Sequence, residues 1–219
     1  MSEPPSAYLK VTIARAGFDR WLAAKPPVAQ QWDDWRTIGM RWRSDGGTTL
    51  PEMRDETLAG ILDEASKDLA RFATNARALL CFFANLGCDE GLHIAAYDTT
   101  DSHFLAGTLT WSENLGEIIA CLTLMRGVAD YLAPGERGTA VIHNYIWGGD
   151  GRDATAAALD IGAAGKSRLL PPDAWPGVVA GFQPVVDAML DHRLPETYPI
   201  RLEPALQRHR IGGTAPTAN

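Results

Sequence analysis

Apolar residues recur along this chain with two periods, and the changes from one to the other mark out its elements. Near the start, Leu9, Val11 and Ile13 alternate with Lys10 and Thr12, the period of a half-buried strand. Phe18, Trp21 and Leu22 then fall at helical spacing, and Lys25-Pro26-Pro27 stops that helix. Residues 30–43, QQWDDWRTIGMRWR, put Trp32, Trp35, Ile38 and Trp42 on one helical face, with Asp33 and Asp34 at the end where the helix dipole favours them. Pro51 opens the clearest helix of the chain. Its apolar stripe is Leu58, Ile61, Leu62, Ala65, Leu69 and Phe72, and Asp55, Glu56, Asp63, Glu64 and Asp68 face water.

Residues 78–132 form the centre of the chain. The run 79–84 is apolar on every side, so period alone does not separate strand from helix. The pair Phe82-Phe83 and the glycine-rich gap after it favour a strand feeding a hairpin. Residues 93–98 and 104–111 flank the polar turn 99–102 and complete a three-strand antiparallel meander. Ser112 or Asn114 caps the next helix, whose apolar face holds Leu115, Ile118, Ile119, Leu122, Met125, Val128 and Leu132 and which Pro134-Gly135 ends. Residues 139–147 read as a further strand. Residues 153–161 read as either helix or strand, and the turn Gly162-Ala163-Ala164-Gly165 followed by 168–170 favours a hairpin. Asp173 caps a last helix bearing Val178, Val179, Phe182, Val186, Met189 and Leu190, kinked at Pro184.

These elements define a single α+β domain, with a mostly antiparallel sheet of about five strands flanked by four or five helices. The domain spans 8–194, between a disordered leader at 1–7 and an extended, partly disordered tail at 195–219 that is rich in proline and then in basic residues. At 219 residues such a chain buries a sizeable core without disulfides.

Charge narrows the function classes. The formal net charge of −7 and pI near 5.2 oppose sequence-independent binding to nucleic acid, which needs a basic face. The first ten residues lack the basic and apolar regions of a signal peptide, and no apolar run approaches the roughly 20 residues of a membrane span. Cys81, Cys88 and Cys121 are odd in number and two lie in apolar runs, as reduced thiols in the cytoplasm do.

Four segments carry candidate chemistry. Gly162-Ala163-Ala164-Gly165-Lys166-Ser167 has the look of a phosphate loop. Asp160 stands where that loop needs glycine, however, and Pro171-Pro172 forbid the helix that must follow, so it reads as a hairpin turn. His93, Asp98, Asp101 and His103 flank one turn, but the pleat puts His93 and Asp98 on opposite faces. The segment 143–153 sets His143 and Trp147 on one strand face, followed by Asp150 and Asp153 on a glycine loop that suits a polar ligand. Trp32, Trp35 and Trp42, with Arg36, Arg41 and Arg43, read first as a core helix with snorkelling arginines and, if exposed, have the composition of a binding hot spot. No nucleophile–base set, zinc pair or cofactor motif stands out.

The leading expectation is therefore a cytoplasmic binding protein without catalysis or cofactor, of the immunity-inhibitor kind, that meets a basic protein partner. One alternative is a small-molecule enzyme or metal-dependent hydrolase built on His143, Asp150 and Asp153. The other is a homo-oligomer subunit, a homodimer for example, joined through the helix over 115–132.

Overall fold

The computed structural model describes residues 4–39, 49–83, 93–146 and 154–191. Six strands and five helices make one α+β domain. The strands are β1 (Ser6–Thr12), β2 (His93–Asp98), β3 (His103–Thr108), β4 (Arg137–His143), β5 (Thr155–Gly162) and β6 (Ser167–Leu169). They form one sheet in the order β2-β3-β1-β4-β5-β6, and every neighbouring pair is antiparallel. The first strand of the chain is thus a central one, between β3 and β4.

The helices are α1 (Arg15–Ala23), α2 (Asp55–Ala70), α3 (Asn75–Phe83), α4 (Leu115–Arg126) and α5 (Trp175–Leu190). The first four cover one face of the sheet. Leu9, Val11, Phe104, Ala140, Ile142 and Leu159 pack there against Phe18, Trp21, Leu62, Leu79 and the apolar residues of α4. On the other face, α5 lies across Tyr8, Leu105, Val141 and Ala158 through Trp175, Phe182, Val185, Val186 and Met189. Both faces of β1 are therefore covered near its start, and its residues 6–9 are all buried.

Several expectations change. The run 79–84 belongs through Phe83 to α3, a helix. Its spacing begins earlier, at Ala76, Leu79 and Phe83, which are buried. Thr74 starts it by accepting the Arg77 amide on Oγ1, and Asn75 ties it to α1 by donating Nδ2 to the Trp21 carbonyl at 2.8 Å. Apolar residues surround α3 because α1 and α4 flank it and Phe82 and Phe83 pack on Trp111. The meander accordingly reduces to the β2–β3 hairpin, with β1 as its third strand.

The helix expected over 30–43 is absent from 30–39, where 3-10 turns at Ala29–Gln31 and Trp35–Thr37 bracket an extended Trp32. Backbone groups there bond to distant partners: the Ala29 amide donates to Ser66 Oγ and the Gly39 amide to the Ala156 carbonyl. Part of the expected leader joins the sheet: the Pro5 carbonyl accepts the Trp111 amide, and Ser6, the first residue of β1, donates Oγ to the Leu109 carbonyl at 2.6 Å. Asp173 lies in a 3-10 turn before α5 and makes no cap, and α5 runs uninterrupted through Pro184. The residues of α4 from Ile118 to Arg126 are all buried inside the chain. The tail from 195 lies outside the described residues.

The 162–165 turn is the expected hairpin. Ala164 and Gly165 both adopt positive φ, 60° and 70°, and the Gly165 amide donates to the Ala129 carbonyl. The β2–β3 turn is closed by Asp98 Oδ1, which accepts the Thr100 amide at 2.7 Å.

Candidate functional site: a cationic groove beside α5

The α5-covered face changes character along its strands. At one end the α5-facing residues are Tyr8, Leu105 and Val141, all buried under the helix. Two and four residues further along the same pleats they are Lys10 and Thr12 on β1, His103 on β3, and Thr139 and Arg137 on β4. Register brings these together: Lys10 stands between Leu105 and Thr139, and Thr12 stands beside His103. Directly opposed residues on adjacent strands lie about 5 Å apart, so five polar side chains converge on one patch.

Over that patch α5 leaves a groove of ≈ 340 Å³. The sheet side is Lys10, Thr12, His103, Arg137, Gly138 and Thr139, and the helix side is Gly177, Val178, Gly181 and Phe182. Gly177 and Gly181 lie one helical turn apart and both are exposed. A Cβ placed on either would meet no atom within 4 Å, so packing does not require glycine there. The effect of these glycines is to keep the helix side of the groove empty.

Among the described residues the lining holds two fixed cations and no carboxylate, in a chain of net charge −7. Lys10 and Arg137 have no ion pair or side-chain hydrogen bond among the described residues. Two acids on the same face flank the lining by register, Asp98 opposite His103 and Asp160 opposite Thr139, and each has a partner of its own. Asp98 holds the Thr100 amide, and Asp160 holds Arg168 at 3.1 Å. Thr12 Oγ1 and His103 Nε2 share a hydrogen bond at 3.0 Å. Asp98 faces His103 across the hairpin, yet no ion pair links them, so the hydroxyl–imidazole pair lacks the acid that would orient a catalytic base.

The residues singled out from sequence are placed differently. Trp35 is buried and donates Nε1 to the Ala29 carbonyl at 2.9 Å, and half-buried Trp32 packs edge-on against it. Together they cover Arg126, whose guanidinium lies 4.6 Å and 4.9 Å from their ring centres. That side chain is 1% exposed and pairs with Asp34 Oδ1 at 2.6 Å. Burial lowers its pKa from the ordinary arginine value, and Asp34 opposes that shift. The two tryptophans thus box an internal cation.

His143 is buried on the α5 face, with Nδ1 2.8 Å from Thr155 Oγ1 and its ring 4.5 Å from that of Tyr145. Desolvation lowers its pKa to about 4, so the ring is neutral and structural at pH 7. Tyr145 donates to the Val179 carbonyl of α5 at 2.8 Å. Trp42, Trp147, Asp150 and Asp153 lie outside the described residues. His93 faces the other side of the sheet with Ala95 and Tyr97, as the pleat argument expects, and its pKa is lowered by burial. Among the described residues no group of three or more His, Cys, Asp or Glu side chains could hold a metal ion.

The groove is not legible in the sequence because Lys10 and Thr12 read as the wet side of a half-buried strand. The available signal was the glycine pair at 177 and 181 in an otherwise apolar helix. No family model, curated protein or solved structure matches this chain.

Proposed function

We propose that this is a binding protein without catalysis whose site is the α5 groove, and that its ligand is an anion. The observation that carries this reading is the pair Lys10 and Arg137, two cations without an ion pair that line one groove, with no carboxylate among its described lining residues. Lys10 and Arg137 sit diagonally across the β1–β4 pair, two residues apart in register, so neither supplies a counter-charge to the other. A bound anion supplies the missing counter-charge. The hydroxyls of Thr12 and Thr139 and the imidazole of His103 add the hydrogen-bonding groups that fix a ligand's orientation, and Val178 and Phe182 form the apolar wall typical of small-ligand sites. The cytoplasm is the compartment we propose; free thiols at Cys81 and Cys121 support it.

The test is an NMR titration of the ¹⁵N-labelled full chain with phosphate, sulfate, acetate and succinate at constant ionic strength. Saturable shifts are expected at the amides of Gly138, Gly177 and Gly181, and Lys10→Met and Arg137→Met should each abolish them. If no anion of the set moves those amides, the reading falls. An inhibitor-type protein that meets a basic partner is the second reading. Its support is the outward face of α2, where Asp55, Glu56, Asp63 and Glu64 are exposed. A stoichiometric basic protein recovered by pull-down, and lost when those four are neutralised, is its expected result.

A further inference from the structure

Resting on the anion reading of the groove, we infer that its ligand is a small phosphomonoester: a phosphate on the sheet side carrying a compact organic body beside the glycine turns of α5. Charge sets the head group. Lys10 and Arg137 present two positive charges with no lining acid, and a phosphomonoester carries about −2 at neutral pH, so it neutralises both. A single carboxylate leaves one cation bare, and a phosphodiester does the same. Donor geometry agrees. An ammonium point charge, a guanidinium fork and the hydroxyls of Thr12 and Thr139 approach from two adjacent strands, which suits an anion with oxygens in several directions better than a flat one.

Volume and the helix side define the rest of the molecule. At ≈ 340 Å³ the cavity stands at the low end of ligand sites, which run from about 300 Å³ upward. It is roomier than a lone phosphate needs and small for a nucleotide. Gly177 and Gly181 each weaken α5 relative to alanine, and their absent side chains leave space that no protein atom fills. Val178 and Phe182 border that space, so the body of the ligand is apolar on at least one side.

Isothermal titration of the full chain with phenyl phosphate, benzoate, phthalate, methyl phenyl phosphate diester and inorganic phosphate tests this. Phenyl phosphate is expected to bind at least about ten-fold tighter than each of the others: one charge-assisted contact separates it from benzoate and the diester, tetrahedral oxygens from phthalate, and burial of its ring from inorganic phosphate. Lys10→Met and Arg137→Met should each weaken it about ten-fold with the fold intact. Gly181→Leu fills the helix side, and should weaken phenyl phosphate strongly while leaving inorganic phosphate within about three-fold. Equal binding of benzoate, phthalate or the diester overturns the phosphomonoester and leaves the anion groove standing; no binding by any of the five overturns both. A phosphoserine peptide that binds ten-fold tighter than phenyl phosphate overturns the small-molecule assignment.

Discussion

Asp34→Ala is the change that tests the interior most sharply. Asp34 uses both carboxylate oxygens: Oδ1 pairs with Arg126 Nη1 at 2.6 Å, and Oδ2 accepts the Leu169 amide of β6 at 2.7 Å. Arg126 completes the knot by donating Nε to Ser167 Oγ and Nη2 to the Ser167 carbonyl, both at 2.9 Å. One ion pair therefore joins the tryptophan segment, α4 and β6. The guanidinium is 1% exposed, so removing its partner leaves a desolvated charge under two indole rings. Breaking such a pair from one side costs about 3–5 kcal/mol, a large share of the about 5–15 kcal/mol that a domain has. In a chain of this size that lowers Tm by roughly 10 °C. The second arm is Asp34→Ala with Arg126→Met, which removes the charge along with its partner and keeps an apolar stem under the rings. It is expected to be more stable than Asp34→Ala alone by at least about 1 kcal/mol, although it carries one more substitution. Urea unfolding followed by circular dichroism gives both values from the midpoint at constant m. If the single variant loses less than about 1 kcal/mol, or the double variant is the less stable of the two, the desolvated-charge account is wrong.

Three further outcomes follow from the same coordinates. His143 takes up a proton less readily folded, near pH 4, than unfolded, near 6.5, so the unfolded state binds more protons below pH 6.5 and stability falls as pH drops from there towards 4. The loss approaches about 3 kcal/mol, and His143→Asn, which keeps a partner for Thr155, should flatten that part of a Tm-against-pH curve. Gly177→Ala and Gly181→Ala should each raise stability by about 0.5–1 kcal/mol, since no atom lies within 4 Å of the added methyl; a loss by denaturant unfolding would show that the glycines serve the fold. Gly107→Ala should cost about 2–3 kcal/mol, because its methyl would lie 2.1 Å from Cδ1 of the fully buried Tyr8 ring, and an unchanged unfolding midpoint would refute that contact.

Period and punctuation in the chain were enough for the strand at β1, the helices α1, α2 and α4, the β2–β3 and β5–β6 hairpins and the α+β class. In each of these a local pattern and its bounding turn residues agree, so no distant contact has to be known. They misplaced α3 and residues 30–39 for one shared reason. Where a segment is enclosed on several sides, or hands its backbone bonds to distant partners such as Ser66 and Ala156, its apolar pattern no longer reports its own period. The tryptophans show the same limit, since nothing within 30–39 announces that Arg126, some ninety residues on, needs two rings and a carboxylate. The groove was a tertiary decision entirely. Lys10, Thr12, His103, Arg137 and Thr139 are ordinary polar strand positions until register places β1 between β3 and β4 and α5 stops short of covering them. Charge that is dispersed along the chain becomes a site only where pairing brings it onto one face.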